Sequence, residues 1–101
     1  MIQEIGEEVT RFSVGDEVII NPSLYWYEKS EAPPANFEIL GMPHHGTLAE
    51  KVAISEDFVE PKPAHFSWEE AGVFTLSAVT GYRALMTKAQ IQSDDTLFIL
   101  V

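Results

Sequence analysis

The chain ends in an unbroken apolar run, Leu97 to Val101, directly after a polar turn at residues 93–95. A strand with one face in water alternates apolar and polar residues, whereas a strand covered on both faces, as in a parallel sheet, is apolar throughout. Chain termini normally lie at the surface and fray, so a natural chain seldom stops inside such a strand. The run predicts a buried strand and a fold that continues beyond Val101.

Composition excludes several protein classes. Of the 101 residues, 46% are hydrophobic, which can supply the core of one domain and argues against intrinsic disorder despite a net charge of −10. No apolar run approaches the roughly 20 residues of a membrane span, so we expect no membrane partner. The six basic residues are scattered, so we expect no nucleic-acid partner. The absence of cysteine fits a cytoplasmic protein.

The first half of the chain, residues 1–63, reads as short strands and loops. The β-branched run Val18, Ile19 and Ile20, closed by Asn21 and Pro22, predicts a strand. Weaker alternation predicts further strands over residues 2–5 and 46–54, and the prolines keep residues 58–63 out of a sheet interior. Several short strands with glycine and proline between them are typical of a small, irregular β-barrel.

A loop of more than twenty residues, 23–45, interrupts these strands and contains three consecutive aromatic residues, Tyr25, Trp26 and Tyr27. Loops this long are uncommon and are often functional. Two alternatives remain open. The rings cap the end of the barrel as a small core, or one of them, Tyr25 or Trp26, lines a substrate cleft.

The second half, residues 67–101, reads as helices followed by the terminal strand. Ser67 and Glu70 form a capping box that begins a helix. The apolar residues that follow predict a largely buried helix: Ala71, Val73, Phe74 and Leu76. Helical spacing then continues at Ala78, Tyr82, Leu85 and Met86.

Gly81 lies inside this helical pattern, where glycine costs about 1 kcal/mol relative to alanine. A glycine there permits close approach to the backbone, either by a neighbouring element or by a ligand. Both alternatives stay open.

Few residues in the sequence are candidates for catalysis or metal binding. A zinc site needs three or four converging ligands, and His44 and His45 are a poor chelate because adjacent side chains on an extended backbone point apart. His65 reads as a solvated turn residue. No Ser-His-Asp arrangement can be assembled around Ser77 or Thr80. The sequence therefore names no catalytic residue and no metal ligand.

Four segments, in this order, resemble the medium-chain dehydrogenase/reductase superfamily: EEVTRFSVGDEVI, GTLAEKV, SWEEAGVFTLSAVTGYRAL and DDTLFIL. The likeness is greatest to its zinc-type alcohol dehydrogenase-like and quinone oxidoreductase-like branch. It extends over essentially all of residues 1–101.

The resemblance implies a mainly β fold with helices, cut from a longer enzyme. Residues 1–66 are expected to be a portion of a GroES-like β-barrel whose N-terminal part is missing. Residues 67–101 are expected to be connecting helices and the first strand of a truncated Rossmann domain. A glycine-rich turn that approaches the dinucleotide pyrophosphate should come next.

The resemblance also implies the chemistry, which is hydride transfer between NADPH and a carbonyl, alcohol, quinone or enone substrate. The cofactor carries the electrons while the protein orients it. The family's stretch beside the nicotinamide corresponds here to Thr80, Gly81 and Tyr82. Asn21, which follows a barrel strand, is a weaker candidate for the substrate cleft.

The chain departs from the zinc-dependent members of the family. Leu76 occupies the position of a metal-binding cysteine, and the four cysteines of a structural zinc lobe are missing. The resemblance therefore implies an enzyme without zinc, acting on a small molecule as a homo-oligomer, of which these 101 residues alone would be inactive. The alternative is a non-catalytic GroES-like β-barrel that serves as an interaction module.

Overall fold

The computed structural model describes residues 1–100, so predictions about Val101 lie outside the described residues. Four short strands come first: β1 (Val18–Ile20), β2 (Ser23–Leu24), β3 (Glu38–Ile39) and β4 (Val59–Pro61). A helical segment then runs over residues 68–89. No helix among the described residues is both long and apolar enough to cross a membrane.

Strands β1 and β4 form an antiparallel pair with Ile19 opposite Glu60. The pairing extends past both strand ends, because the Asn21 N–H donates to the Phe58 carbonyl at 2.8 Å and the Lys62 N–H donates to the Glu17 carbonyl at 2.9 Å. The prediction of a strand at residues 18–20 is confirmed. Pro61 is tolerated because β4 has its one ladder on the side of β1.

Strands β2 and β3 form a second antiparallel pair, with Ser23 opposite Ile39 and Leu24 opposite Glu38. The sequence indicated an irregular loop here. The structure instead pairs residues 23–24 with residues 38–39, so the loop is closed by a short antiparallel ladder. The two strands have two residues each, which is too short for a periodic pattern to reveal.

The described residues form two separate two-stranded sheets and no closed barrel. The predictions of strands at residues 2–5 and 46–54 are wrong, because both segments lie outside every strand. A strand is defined by a ladder to a neighbour. Ile2 exchanges two backbone hydrogen bonds with Gly15 and Asp16, but no ladder continues from there along residues 3–5, and none runs along residues 46–54 in the described part of the chain. Val52 and Ile54 are half-buried and, with Val18, Ile20 and Val59, line an open concavity of about 610 Å³.

The helical segment begins where the capping box predicts. The Glu70 N–H donates to Ser67 Oγ at 3.2 Å, and the Ser67 N–H donates to Glu70 Oε2 at 2.9 Å. Helix α1 (Trp68–Val73) leads into a π-helical stretch (Phe74–Ala78), helix α2 (Val79–Tyr82) and a second π-helical stretch (Arg83–Ala89).

Burial along the helical segment is one-sided. Ala71 is 2% exposed, and Phe74 packs edge-on against Phe66 with ring centroids 4.9 Å apart. Val73 and Leu76 each expose 61% of their surface, so the prediction that this helix is largely buried is wrong for these two residues. Only one face of the segment meets the β-rich half.

The terminal apolar run does not form the predicted strand within the described residues, since 96–100 lie in no strand. The side chains from Leu97 to Leu100 expose between 50% and 84% of their surface. The reason is the one that applies to residues 46–54: no partner strand runs alongside to complete a ladder or cover either face.

Lys62 connects the end of the β1–β4 pair to the start of the helical segment. Its side chain is 5% exposed and its Nζ lies 3.2 Å from Glu17 Oε2. The ammonium also donates to the Phe66 carbonyl at 2.8 Å and lies 5.2 Å from the centroid of the Trp68 ring. A nearly buried charge is tolerated here because it is paired with a carboxylate, hydrogen-bonded to a carbonyl and placed over an aromatic ring.

We expect Lys62→Met to lower the free energy of unfolding of the chain by about 2 kcal/mol, because the methionine keeps the apolar stem but leaves the Phe66 carbonyl and Glu17 without their cation. The measurement is urea unfolding followed by circular dichroism.

Lys51→Met is the matched control, because Lys51 and Glu4 form an ion pair at 3.6 Å in which both side chains are largely exposed to solvent. Its effect should stay within about 0.5 kcal/mol. Equal stabilities of the Lys62 and Lys51 variants would contradict the role given to Lys62.

Candidate functional site

Thr80 lies in α2, between the two π-helical stretches, with its side chain exposed. π-Helical turns are rare and occur frequently at functional sites. The Arg83 N–H donates to the carbonyls of Thr80 and Val79. The Thr80 carbonyl is thus satisfied within the helix, and the Thr80 side chain is exposed to solvent.

Gly81 and Tyr82, the neighbours predicted to share the cofactor site, occupy the same short helix. A Cβ atom built on Gly81 would meet no other atom within 4 Å among the described residues. No neighbouring element described here therefore requires the glycine. Tyr82 exposes 66% of its surface.

The exposed surface of the helical segment is apolar on both sides of Thr80. Four large apolar side chains there are about half exposed or more: Val73, Leu76, Val79 and Met86. Thr80 is one of three exposed hydroxyl-bearing residues on this part of the segment, with Ser77 and Tyr82. A largely apolar surface with a few hydroxyl groups suits contact with a flat ring that carries hydrogen-bonding substituents.

Tyr25 and Tyr27 pack on the same buried ring. Their centroids lie 5.3 Å and 5.8 Å from that of Phe58, edge-on for Tyr25 and stacked for Tyr27. Desolvation, followed by the charge of Asp57 and the proximity of Tyr25, raises the pKa of Tyr27. The two tyrosines share a contact with a buried residue but themselves expose 39% and 65% of their surface, so both sequence alternatives stay predictions.

Trp26 points elsewhere. Its ring packs edge-on against Phe37 at 5.5 Å, and its Nε1 donates to Ser30 Oγ at 2.8 Å. The Arg83 guanidinium lies 4.5 Å from the Trp26 ring centroid. Trp26 therefore contacts the helical segment at Arg83, which lies about one helical turn after Thr80. That it lines a substrate cleft stays a prediction.

Two cationic side chains of the helical segment bind backbone carbonyls of the same loop. Arg83 Nη2 donates to the Ser30 and Glu31 carbonyls at 2.9 Å and 3.1 Å, and Lys88 Nζ donates to the Glu31 carbonyl at 3.1 Å. Sequence reasoning missed this role of both residues. The available signal was that they are the two basic residues after residue 66, and that the loop is acidic.

Asn21 is exposed, and its Oδ1 accepts a hydrogen bond from the Ser23 N–H at 3.0 Å. This arrangement is a local turn that leads from β1 into β2. The Asn21 side chain thus has a structural partner already. Its membership in a substrate cleft stays a prediction.

The histidines do not gather. Nε2 of the exposed His44 lies 3.6 Å from Oε2 of the half-buried Glu38, and the ring centroids of His65 and Phe66 lie 4.6 Å apart. In residues 1–100, no three metal-ligating side chains of His, Asp or Glu come together.

Comparison with known proteins places these features in a family. The alcohol dehydrogenase GroES-like domain model matches residues 1–64. The NAD-dependent alcohol dehydrogenase of Sulfurisphaera tokodaii is 32% identical over 105 aligned positions, which cover 98% of this chain. The crotonyl-CoA carboxylase/reductase of Cereibacter sphaeroides is 28% identical over 93 positions, which cover 84% of it.

The chain spans 30% of the first of these relatives and 21% of the second. No solved structure matches it significantly. The match to the family model extends over more than half of the chain, and both relatives are oxidoreductases of the same superfamily. The chain belongs to the alcohol dehydrogenase GroES-like domain family, and through it to the medium-chain dehydrogenase/reductase superfamily.

Proposed function

We propose that this chain is a segment of a longer, zinc-independent oxidoreductase that transfers hydride between NADPH and a carbonyl, alcohol, quinone or enone substrate. Family membership over residues 1–64 supports the reaction class. The relatives' names support it further, since one is an NAD-dependent alcohol dehydrogenase and the other reduces a conjugated acyl thioester, crotonyl-CoA.

The observation that carries the proposal is the exposed Thr80 side chain on an apolar helical surface, beside a glycine that no packing contact among the described residues requires. These residues fit a nicotinamide, because its ring is flat and apolar on both faces and its carboxamide needs a hydrogen-bond partner. When bound, the cofactor supplies the hydride and the chain supplies orientation. Thr80 would hold the carboxamide side of the ring, and Gly81 would let it approach the helix.

The other proposed contacts follow from the same placement. Trp26 would contribute apolar surface beside the substrate, and Tyr25 and Asn21 would shape the strand end from which the loop departs. We also propose that the full-length protein is a homo-oligomer, as the resemblance to the family implies. The net charge of −10 supports a small-molecule substrate over nucleic acid.

In the full-length protein, we expect Thr80→Trp to raise the dissociation constant for NADPH at least about tenfold, or ~1.4 kcal/mol, because the indole fills the space of the nicotinamide ring. The measurement is titration of cofactor fluorescence.

Thr47→Trp controls for the added indole, since Thr47 is an exposed threonine of the β-rich half. It should bind NADPH like the wild type. If the Thr80 variant also binds with wild-type affinity, the helix around Thr80 does not face the cofactor.

We expect the full-length protein to be active without zinc, because leucine at position 76 cannot ligate a metal and residues 1–101 contain no cysteine. Dialysis against a chelator should leave the rate of NADPH oxidation unchanged, with the metal content followed by elemental analysis. Loss of activity together with stoichiometric zinc, and recovery when zinc is restored, would contradict this expectation.

A further inference from the structure

Residues 26–37, named here the strap, are held together by contacts among their own side chains and backbone. Trp26 Nε1 donates to Ser30 Oγ, which donates onward to the Ala32 carbonyl at 2.7 Å. The Trp26 ring packs against Phe37 at the far end of the segment. These contacts join the beginning, middle and end of the strap, so it can move as one body.

The strap is attached to the helical segment by cations. Arg83 stacks on Trp26 and donates to the Ser30 and Glu31 carbonyls, and Lys88 donates to the Glu31 carbonyl. Arg83 is suited to this task because its planar guanidinium can lie over a ring while its N–H groups reach two acceptors. Residues 29–31 and 86–90 face each other across a cleft of about 430 Å³.

Arg83 lies three residues after Thr80, and helical residues at this spacing are surface neighbours. Their backbones are also hydrogen-bonded to each other. The position of the strap is thus fixed by a residue adjacent to the proposed cofactor contact.

We propose that Arg83 is a positioning residue that holds the strap closed against the helical segment, making the strap a wall of the substrate cleft beside Thr80. The inference about the cleft rests on the proposed function. The closure itself rests on the contacts alone. Loss of Arg83 releases the strap as a unit and leaves the remaining fold in place.

The first test is limited cleavage of the full chain by a lysine-specific endoprotease. Lys29 lies in the strap and is exposed, and Lys51 lies in the β-rich half as an internal reference. Arg83→Gln should accelerate cleavage after Lys29 about fivefold relative to cleavage after Lys51, because cleavage follows the population of the open form.

Two further variants sharpen this test. Arg83→Lys keeps a cation over Trp26 and should restore most of the protection at Lys29. Arg11→Gln is the matched control, because Arg11 donates to the Glu56 carbonyl, away from the strap, and should leave cleavage after Lys29 unchanged. Equal relative cleavage in wild type and Arg83→Gln would overturn the proposal.

The second test uses the full-length protein and separates the two hypotheses. Arg83→Gln should raise KM for the carbonyl substrate about fivefold and change kcat by less, with Arg83→Lys recovering the KM. A wild-type protein that binds no NADPH would overturn the proposed function and, with it, the role of the strap as a cleft wall. Normal NADPH binding with an unchanged KM in Arg83→Gln would overturn the cleft wall alone.

Discussion

The buried ammonium of Lys62 is the interaction on which the arrangement of the molecule depends. Its backbone N–H ends the β1–β4 ladder at Glu17, and its side chain binds the Phe66 carbonyl and lies over Trp68 at the start of α1. The buried core of the described residues is small and consists of four apolar residues, each at most 9% exposed: Leu24, Phe58, Val59 and Ala71. With so little apolar burial to orient the two halves, a matched cation sets the point from which the helical segment departs.

Arg83 makes a similar set of contacts further along the helical segment. Each of the two cations binds backbone carbonyls and lies over an indole, with Trp68 as the ring for Lys62 and Trp26 for Arg83. The helical segment is thereby tied at its start to β4 and near its end to the strap. Between the two ties, Thr80 remains exposed. In the proposed function, this exposed surface is the side that would face a nicotinamide.

Local features of the fold could be read from the sequence, and features that need a distant partner could not. The Ser67 capping box and the β-branched run at β1 depend on neighbours in the chain, and both formed as predicted. The segments 46–54 and 96–100 have strand-like composition, but a strand requires a second backbone beside it. Likewise, Arg83 donates a hydrogen bond to the Ser30 carbonyl, 53 positions away in the chain, and no local sequence pattern predicts that contact. The family resemblance named Thr80 as a candidate site residue, and the structure adds that its side chain is exposed.

The central claim is that the surface around Thr80 faces the cofactor while the strap closes beside it. Amide hydrogen exchange of the full-length protein, measured by mass spectrometry with and without NADPH, tests this claim most directly. We expect slower exchange on cofactor binding in peptides from residues 74–89 and, with substrate added, in the strap, because ligand contact and closure reduce local opening. Slower exchange confined to other parts of the protein, with both of these segments unchanged, would contradict it.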